Sequence, residues 1–355
     1  RTVHRPTDQA MSVDSPHRVL LVGAGGVGQK RAAAVAAHES TTLAAVCDVE
    51  ETLATRLAND HGATVYTDWS SAVGETDVDL VIVSTTHDAL SKVSVAALQA
   101  GRHVLCEKPL GRNRDEVASA VTAAGDSGRV LRAGYNHRFH PAITGVHDAA
   151  ARGEIGPLIS VRGRYGHGGR PGYDREWRAD PDVSGGGELL DQGAHLLDLS
   201  LWLLGSFDSA VAHTQTAFWD MPVEDNAFAL LRTDTGQVAS LHVSWTQWRN
   251  LFSFEVCGKD GYALAEGLGG SYGPERLTIG RRRPEGGVPQ EQIRTFDGLD
   301  DSWDLEWQAF VQAAEGGVSP GADGAAGLAT MEWIQRIYAS SAASGTPVGI
   351  ADKPW

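Results

Sequence analysis

The stretch that decides the fold covers residues 18–28 and reads RVLLVGAGGVG. Its first half is an apolar run that predicts a buried strand, and the glycines lead into a helix-like run, QKRAAAVAAH. Gly23, Gly25 and Gly28 form the pattern GxGxxG, and Asp48 follows Gly28 by 20 residues at the end of the next apolar run. A strand, a glycine loop, a helix and an acid in this order are the fingerprint of a dinucleotide-binding unit.

Each member of this pattern has a physical role. Gly23 permits the tight turn, Gly25 lets the backbone approach a pyrophosphate, and Gly28 allows close packing of helix on strand. The helix N-terminus offers free N–H groups to phosphates. Asp48 suits ribose hydroxyls and repels a 2′-phosphate, and no basic residue follows it in the next three positions. The pattern therefore predicts NAD rather than NADP; the alternative is an ordinary glycine turn that binds no ligand.

The two halves of the chain differ in their pattern of strands and helices. Up to about residue 140, apolar strands alternate with helical runs, which predicts a parallel sheet covered on both faces. In the second half, VAHTQT, DNAFALLRT, VASLHVSWT and LFSFEVCG follow one another, which predicts an antiparallel or mixed sheet. We expect an α/β protein with a flexible extension at residues 1–15, a Rossmann doubly wound parallel sheet at 16–140, and a second α/β domain at 141–355.

Composition and charge exclude several classes of function. The 355 residues carry a formal net charge of −15, which disfavours nucleic acid and anionic membranes because contacts with phosphate need clustered Lys and Arg. No run of 18 apolar residues occurs, so no membrane-spanning helix is expected. The three cysteines show neither a CxxC pair nor zinc spacing, which favours free thiols in a reducing cytoplasm and no metal site.

Two further stretches contain candidate catalytic residues. HVLCEKPLG places Lys108 just past a strand, at the edge where doubly wound sheets bind ligands; the alternative is a surface lysine before a turn proline. GGGELLDQGAHLLDLSLWLLG predicts one apolar helix, Glu188 to Leu204, in which Asp191, His195 and Asp198 share a face. His195 is expected to be a general base. A structural histidine and a metal pair with Asp191 are the alternatives, although no third ligand is evident.

The glycine-rich loop before this helix, GHGGRPGYDREWRADPDVSGGG, adds tryptophan and arginine side chains suited to stacking and phosphate contacts. With this loop, the sequence resembles the glucose–fructose oxidoreductase/inositol dehydrogenase/MocA (Gfo/Idh/MocA) family from about residue 16 onward. The motifs that carry the resemblance, in the family's order, are GAGGVG, AGRHVLCEKPLG, GYNHRFHP, WRADPDVSGGGELLDQGAHLLDL, VEDNAFALL and ADGAAGL. The resemblance implies a Rossmann domain followed by an α/β domain with a large open, mostly antiparallel sheet. It also implies a homo-oligomer, dimer or tetramer, that assembles through this sheet.

The resemblance also implies the site residues. Lys108 of the EKP motif, with Asp191 and His195 of the DxxxH pattern, would be catalytic. The expected cofactor contacts are Gly23, Gly25, Gly26, Val27, Gly28, Asp48, Ser84, Thr85, Thr86, His87, Glu107, Lys108, Asn136, Trp177 and Arg178. The expected substrate contacts are Lys108, Tyr135, Tyr173, Asp191 and His195. Many members have Thr-Pro-Asn where this chain has Thr85-Thr86-His87, which leaves the adenine side less defined.

These residues predict reversible hydride transfer between NAD and a carbinol carbon of a sugar, aminosugar or cyclitol. His195 would take the hydroxyl proton, Lys108 would polarise the same oxygen, and Asp191 would orient the pair. The alternatives are a keto-sugar reductase, an NAD-assisted redox-neutral elimination enzyme, and a sensor that binds NAD without turnover; the complete catalytic set argues against the sensor. The acidic charge is more often a matter of solubility, but it would also attract a cationic substrate, such as an aminoglycoside intermediate of secondary metabolism held by Asp191 and Asp198.

Overall fold

Residues 15–349, which this computed structural model describes, form two sheets flanked by helices, so the predicted extension lies almost entirely outside the described residues. The strands are β1 (His17–Val22), β2 (Thr41–Cys47), β3 (Thr64–Tyr66), β4 (Leu80–Val83), β5 (His103–Glu107), β6 (Leu131–Gly134), β7 (Leu158–Gly166), β8 (Ser209–Gln215), β9 (Asn226–Arg232), β10 (Val238–Ser244), β11 (Leu251–Gly258), β12 (Gly261–Glu266), β13 (Glu275–Arg281), β14 (Gln290–Phe296), β15 (Ala322–Asp323) and β16 (Val348–Gly349). The helices are α1 (Gly26–Ala37), α2 (Glu51–His61), α3 (Trp69–Glu75), α4 (His87–Gln99), α5 (Arg114–Ser127), α6 (Pro141–Ala151), α7 (Pro181–Ser184), α8 (Ala194–Leu204), α9 (Ser302–Ala314) and α10 (Gly324–Ala342). Within this part of the chain, no helix is both long enough and apolar enough to cross a membrane.

The first sheet has the strand order β15-β6-β5-β4-β1-β2-β3. Strands β1 to β6 are parallel, and β15 adds to the β6 edge in the antiparallel direction. Every residue of β4 and β5 is buried, because helices cover both faces of the sheet. The strand order reverses between β1 and β4, and ligands of doubly wound sheets bind at the carboxyl ends of the strands at such a point. The predicted Rossmann sheet is confirmed.

The second sheet has nine strands in the order β14-β13-β12-β11-β7-β10-β9-β8-β16. All neighbouring pairs are antiparallel except β10 with β7. Helices α6, α8 and α10 pack against one face. The opposite face is open and carries the exposed side chains of Phe228 and Leu230 on β9, where buried and exposed residues alternate. The large, mostly antiparallel sheet predicted for the second domain is therefore confirmed.

A late segment of the chain returns to the first sheet. Strand β15 pairs with β6, and α9 packs on α1, where Trp307 and Phe310 join the apolar core beneath β1 and β2. Helix α10 contacts both α5 and β8, and so links the two sheets. The expected division at residue 140 does not describe this segment, because α9 and β15 belong to the Rossmann sheet by their contacts.

Candidate active site

The glycine loop at the carboxyl end of β1 leaves space for a nucleotide. Gly23 has a φ of 101°, and a Cβ on it would lie 2.4 Å from the carbonyl oxygen of Ser84. A Cβ on Gly28 would lie 2.0 Å from the oxygen of Gly23, so both positions require glycine. In contrast, a Cβ on Gly25 or Gly26 would meet no described atom within 4 Å. This open side of the loop and the N-terminus of α1 form a cradle that fits a pyrophosphate.

Asp48 lies beside this cradle at the end of β2. Its Oδ2 accepts a hydrogen bond from the N–H of Ala24 at 2.6 Å, and its Oδ1 accepts one from the N–H of Glu50 at 2.9 Å. These two bonds hold a negative charge next to the glycine loop. A carboxylate in this place suits ribose hydroxyls and opposes a 2′-phosphate.

The turn after β4, Ser84–Thr86, leads into the buried residue His87. Nδ1–H of His87 donates to the carbonyl oxygen of Ser184 at 2.7 Å, and the imidazole packs edge-on against Trp177 with ring centroids 4.8 Å apart. Burial lowers the pKa of His87 to about 4, so the ring is neutral at physiological pH. His87 therefore joins the cofactor side of the site to the loop that contains Trp177.

Lys108, Asp191 and Arg178 form a charged cluster. The Nζ of Lys108, just past β5, donates to Oδ1 of Asp191 at 2.5 Å and to its backbone oxygen at 2.9 Å. The Nε of Arg178, which we expected at the cofactor, donates to Oδ2 of Asp191 at 3.0 Å. Burial acts to raise the pKa of Asp191, but the charges of Lys108 and Arg178 outweigh this effect and hold it well below its usual range. Asp191 is therefore ionised and fixes the position of the lysine.

His195 lies beside this cluster and is nearly enclosed. Its side chain contacts the ring of His137, with centroids 3.7 Å apart in a stacked arrangement, and its Nδ1 is buried without a hydrogen-bond partner among the described residues. Burial, aided by the charge of Lys108, lowers the pKa of His195 well below its usual value. The imidazole is therefore neutral, and Nε2 is the ring atom available to accept a proton.

A cavity of about 230 Å³ brings these groups together. Its lining residues are Lys108, Tyr165, His167, Arg170, Tyr173, Arg178, Asp191, Gln192 and His195. Asp191 is the one carboxylate among these residues, whereas Lys108, Arg170 and Arg178 are cationic. The cavity therefore presents hydrogen-bonding and positively charged groups rather than free acids.

A wide backbone turn places Asp191 and His195. The sequence predicts one regular helix over Glu188–Leu204, but the structure has a π-helical turn at Leu189–Gly193 that runs into α8. The carboxylate of Glu224 anchors the start of this turn by accepting two backbone N–H groups, each at 3.0 Å. A π-helical turn is wider than an α-helical one and changes which side chains share a face. The predicted common face is therefore wrong in detail, although Asp191 and His195 still reach one cavity.

Two residues expected at the cofactor contact other parts of the protein instead. Glu107 is buried and accepts a hydrogen bond from Nε of Arg31 at 2.7 Å, and Arg31 also pairs with Glu306 of α9 at 2.7 Å. Asn136 is buried and donates to Oγ of Ser302 at 2.9 Å. Both arrangements reach α9, so these side chains hold that helix against the Rossmann sheet.

Tyr135 and Asp198, both expected near the substrate, are enclosed in the protein. Tyr135 is 1% exposed and packs edge-on against His195 at 5.8 Å, outside the set of residues that line the cavity. Asp198 is also 1% exposed and accepts hydrogen bonds from Arg138 at 2.8 and 2.7 Å. The carboxylate is fully engaged by this guanidinium, so it is not available to a substrate amine.

The structure adds residues that the sequence did not identify. Tyr165 and His167 line the cavity at and beyond the end of β7, and Gln192 does so from the π-helical turn. The only signal for the first two was their two-residue spacing at the end of a predicted strand, which places side chains on one face. His137 belongs to the motif GYNHRFHP, in which Tyr135 and Asn136 were assigned roles but His137 was not, and its ring stacks on that of His195.

The fold and the site define an NAD-dependent oxidoreductase. Residues 17–135 match the family model of the oxidoreductase family with an NAD-binding Rossmann fold, and residues 143–264 match that of the GFO/IDH/MocA C-terminal domain. The chain belongs to the Gfo/Idh/MocA family. Its cofactor is NAD, which fits the open cradle at Gly25 and Gly26 and the carboxylate of Asp48.

Several known proteins are similar along most of the chain. The sequence is 30% identical over 283 residues to 1,5-anhydro-D-fructose reductase of Ensifer adhaerens, which covers 78% of this chain and 83% of that protein. The crystal structure of GenD2 from gentamicin A biosynthesis in complex with NAD has a TM-score of 0.82 at 26% identity and covers 99% of both chains. Levoglucosan dehydrogenase in complex with NADH and L-sorbose has a TM-score of 0.84 at 22% identity, over 94% of this chain and 98% of that one, and so has the same fold.

Proposed function

We propose that this enzyme oxidises a secondary hydroxyl of a sugar or cyclitol to a ketone, with NAD as the hydride acceptor. The observation that carries the proposal is the convergence of Lys108, Asp191 and His195 on one cavity. The curated relatives support a sugar-like substrate, since they include the anhydrofructose reductase and a D-glucoside 3-dehydrogenase of Escherichia coli that is 26% identical over 357 residues.

Each group has one task in this reaction. When bound, NAD supplies the acceptor for the hydride of the carbinol carbon. Neutral His195 accepts the hydroxyl proton at Nε2 as the C=O bond forms. The Nζ of Lys108 donates to the same oxygen and stabilises the negative charge that develops there. Asp191 holds Lys108, and Arg178 holds Asp191, so the ammonium group is already in position. Reduction of a ketone uses the same groups in reverse, with His195 as the acid.

The charge of the cavity bears on the expected amino-sugar. Asp191 is bonded to two cations and Asp198 is enclosed with Arg138, so neither carboxylate is free for an ammonium group. The likeness to GenD2 supports an aminoglycoside intermediate, whereas the charges around the cavity support an uncharged ring. We propose that the substrate is a neutral polyhydroxylated ring. The alternative is an amino-sugar, and the salt dependence of the kinetics distinguishes the two.

We also propose that a second copy of the chain packs on the open face of the nine-stranded sheet. Phe228 and Leu230 are 43% and 52% exposed on that face, and their burial in an oligomer would remove apolar surface from water.

We propose a cytoplasmic location as well. Its support is that Cys47, Cys106 and Cys257 are all free thiols, as is usual in a reducing compartment.

Replacement of the two proton-handling residues tests the proposed reaction. We expect Lys108→Ala and His195→Ala each to lower kcat by about 10²–10⁴-fold, the usual effect of losing a positioned acid or base. The dissociation constant of NAD should change little, because the glycine cradle is untouched. The measurement is NADH formation with a panel of sugars, cyclitols and amino-sugars, with calorimetry for NAD binding. Near-normal turnover by His195→Ala would contradict the base assignment, and no NADH formation by the wild type would contradict the proposed function.

A further inference from the structure

A row of aromatic side chains leads from the wall of the cavity to the open surface. Tyr173 lines the cavity, and the Trp219 ring lies 5.8 Å from it. Phe218 follows at 5.2 Å from Trp219, and Trp248 at 4.8 Å from Phe218. Tyr173 is 2% exposed, whereas Phe218 and Trp248 are 60% and 66% exposed. Phe218, Trp219 and Trp248 are here called the aromatic rim.

The backbone that carries the aromatic rim is held by hydrogen bonds. The carboxylate of Asp225 accepts the N–H groups of Ala217, Phe218 and Trp219 at 2.8, 2.8 and 3.0 Å. The indole N–H of Trp219 donates to the backbone oxygen of Trp245 at 3.0 Å. The exposure of Phe218 is therefore a property of a fixed turn. Rigid aromatic groups lose little conformational freedom when a ligand binds, so they are efficient contact surfaces.

Glycines connect the aromatic rim to the cavity. Gly168 and Gly169 lie between two residues that line the cavity. A Cβ on Gly168 would lie 3.2 Å from the ring of Trp248, and one on Gly169 would lie 2.6 Å from the ring of Trp219. Both indoles therefore pack directly on the backbone of this loop. The aromatic rim therefore adjoins the cavity, since this loop contacts the rim and its flanking residues line the cavity.

The volume of the cavity limits what it encloses. About 230 Å³ is less than the roughly 300–1,000 Å³ of pockets that enclose drug-sized ligands, so the cavity has room for a single ring. If that ring carries a glycosidic bond, the next ring lies at the mouth. Large, flat aromatic faces with offset contacts are suited to the C–H faces of a pyranose or cyclitol.

We propose that the aromatic rim is a subsite for a second sugar ring, so the substrate class is a neutral glycoside of at least two rings rather than a free monosaccharide. This inference rests on the proposed dehydrogenase function. The ring to be oxidised occupies the cavity beside Lys108 and His195. The linked ring lies outside it and stacks on Phe218 and Trp248.

Kinetics with paired substrates tests this subsite. The pairs are glucose with maltose and cellobiose, and galactose with lactose, with NADH formation as the readout. We expect the wild type to have the higher kcat/KM for the two-ring member. Trp248→Ala and Phe218→Ala should each lower kcat/KM for that member by about 3- to 10-fold, the usual worth of one aromatic contact. The change should lie in KM, with kcat retained, because the rim does not touch the reacting atoms. For the one-ring member, both variants should have the same kcat/KM as the wild type.

Ile293→Ala is the matched control, because it removes an exposed apolar side chain, 57% accessible, from the edge strand β14. This variant should leave kcat/KM unchanged for every substrate. Equal kcat/KM for one-ring and two-ring substrates, unaltered by the rim variants, would overturn the inference while leaving the dehydrogenase standing. If Trp248→Ala changes the sedimentation of the protein and lowers kcat/KM equally for one-ring and two-ring substrates, the aromatic rim is a subunit interface. That result would also overturn the inference. If the wild type oxidises none of these sugars or the cyclitol panel, both the inference and the proposed function are wrong.

Discussion

Acidification should lower the free energy of unfolding through His87, which joins the two sides of the cofactor region. Its Nδ1–H donates to Ser184 at 2.7 Å, and its ring packs on Trp177. Burial lowers the pKa of His87 from 6.5 to about 4. Between these two values the unfolded chain binds the proton and the folded protein does not. The stabilisation is therefore fully present above the unfolded pKa and is lost as the pH falls toward the folded one.

The magnitude follows from the two pKa values. At about pH 5 the unfolded imidazole is almost fully protonated while the folded one is almost fully neutral. This difference lowers the free energy of unfolding by about 2 kcal/mol relative to neutral pH. The pKa of His103 is lowered in the same direction by burial, so the protein as a whole should lose more than this single contribution.

Urea unfolding of the wild type and His87→Gln at neutral pH and at about pH 5 measures the effect. The glutamine cannot ionise and keeps an N–H donor for Ser184, so its loss of stability on acidification should be smaller by about 2 kcal/mol. His213→Gln replaces an exposed histidine on β8 and should behave as the wild type. An identical loss in the wild type and His87→Gln would refute the reasoning, because another group would then be titrating.

Two further measurements address the cofactor and the substrate. Asp48→Ala should weaken NAD binding and narrow the preference for NAD over NADP, because it removes both the ribose acceptor and the charge that opposes a 2′-phosphate; equal wild-type dissociation constants would show that Asp48 does not select the cofactor. For an amino-sugar and its hydroxyl analogue, we expect the neutral compound to have the higher kcat/KM at low and high salt. A preference for the amine that salt weakens would refute the neutral-ring proposal and restore the cationic substrate.

The sequence alone determined the parts of this protein that depend on neighbours along the chain. The positive φ of Gly23 and the contact of Gly28 with the oxygen of Gly23 both arise within one strand–loop–helix unit, so the motif is sufficient to place these glycines. The close approach of Gly23 to Ser84, at the end of β4, depends on the pairing of strands that are distant in the sequence. The continuous apolar runs of β1 and β4 indicated a sheet covered on both faces, and the structure has one. Lys108 and His195 were identified by motifs whose positions at the end of a strand and on a helix also follow from local pattern.

Some elements lacked a local signal. Strand β14 is exposed at nearly every position, so its residues show no alternation between buried and exposed faces. The apolar residues of α9 indicate only that another element packs against this helix. This element is α1 of the first domain. The contact depends on the path of the backbone after the second sheet, and local periodicity does not encode that path.

Only the tertiary structure decided which charges meet. Lys108 and Asp191 are 83 positions apart in the chain, and their contact forms where the end of β5 approaches the π-helical turn. Asp198, on the same predicted helix face as Asp191, pairs with Arg138 and is therefore not available to bind the substrate. The strength of an ion pair depends on distance in space and on exclusion of water. Both quantities are set by how the two domains pack, so the residue types could be predicted from the sequence but their partners could not.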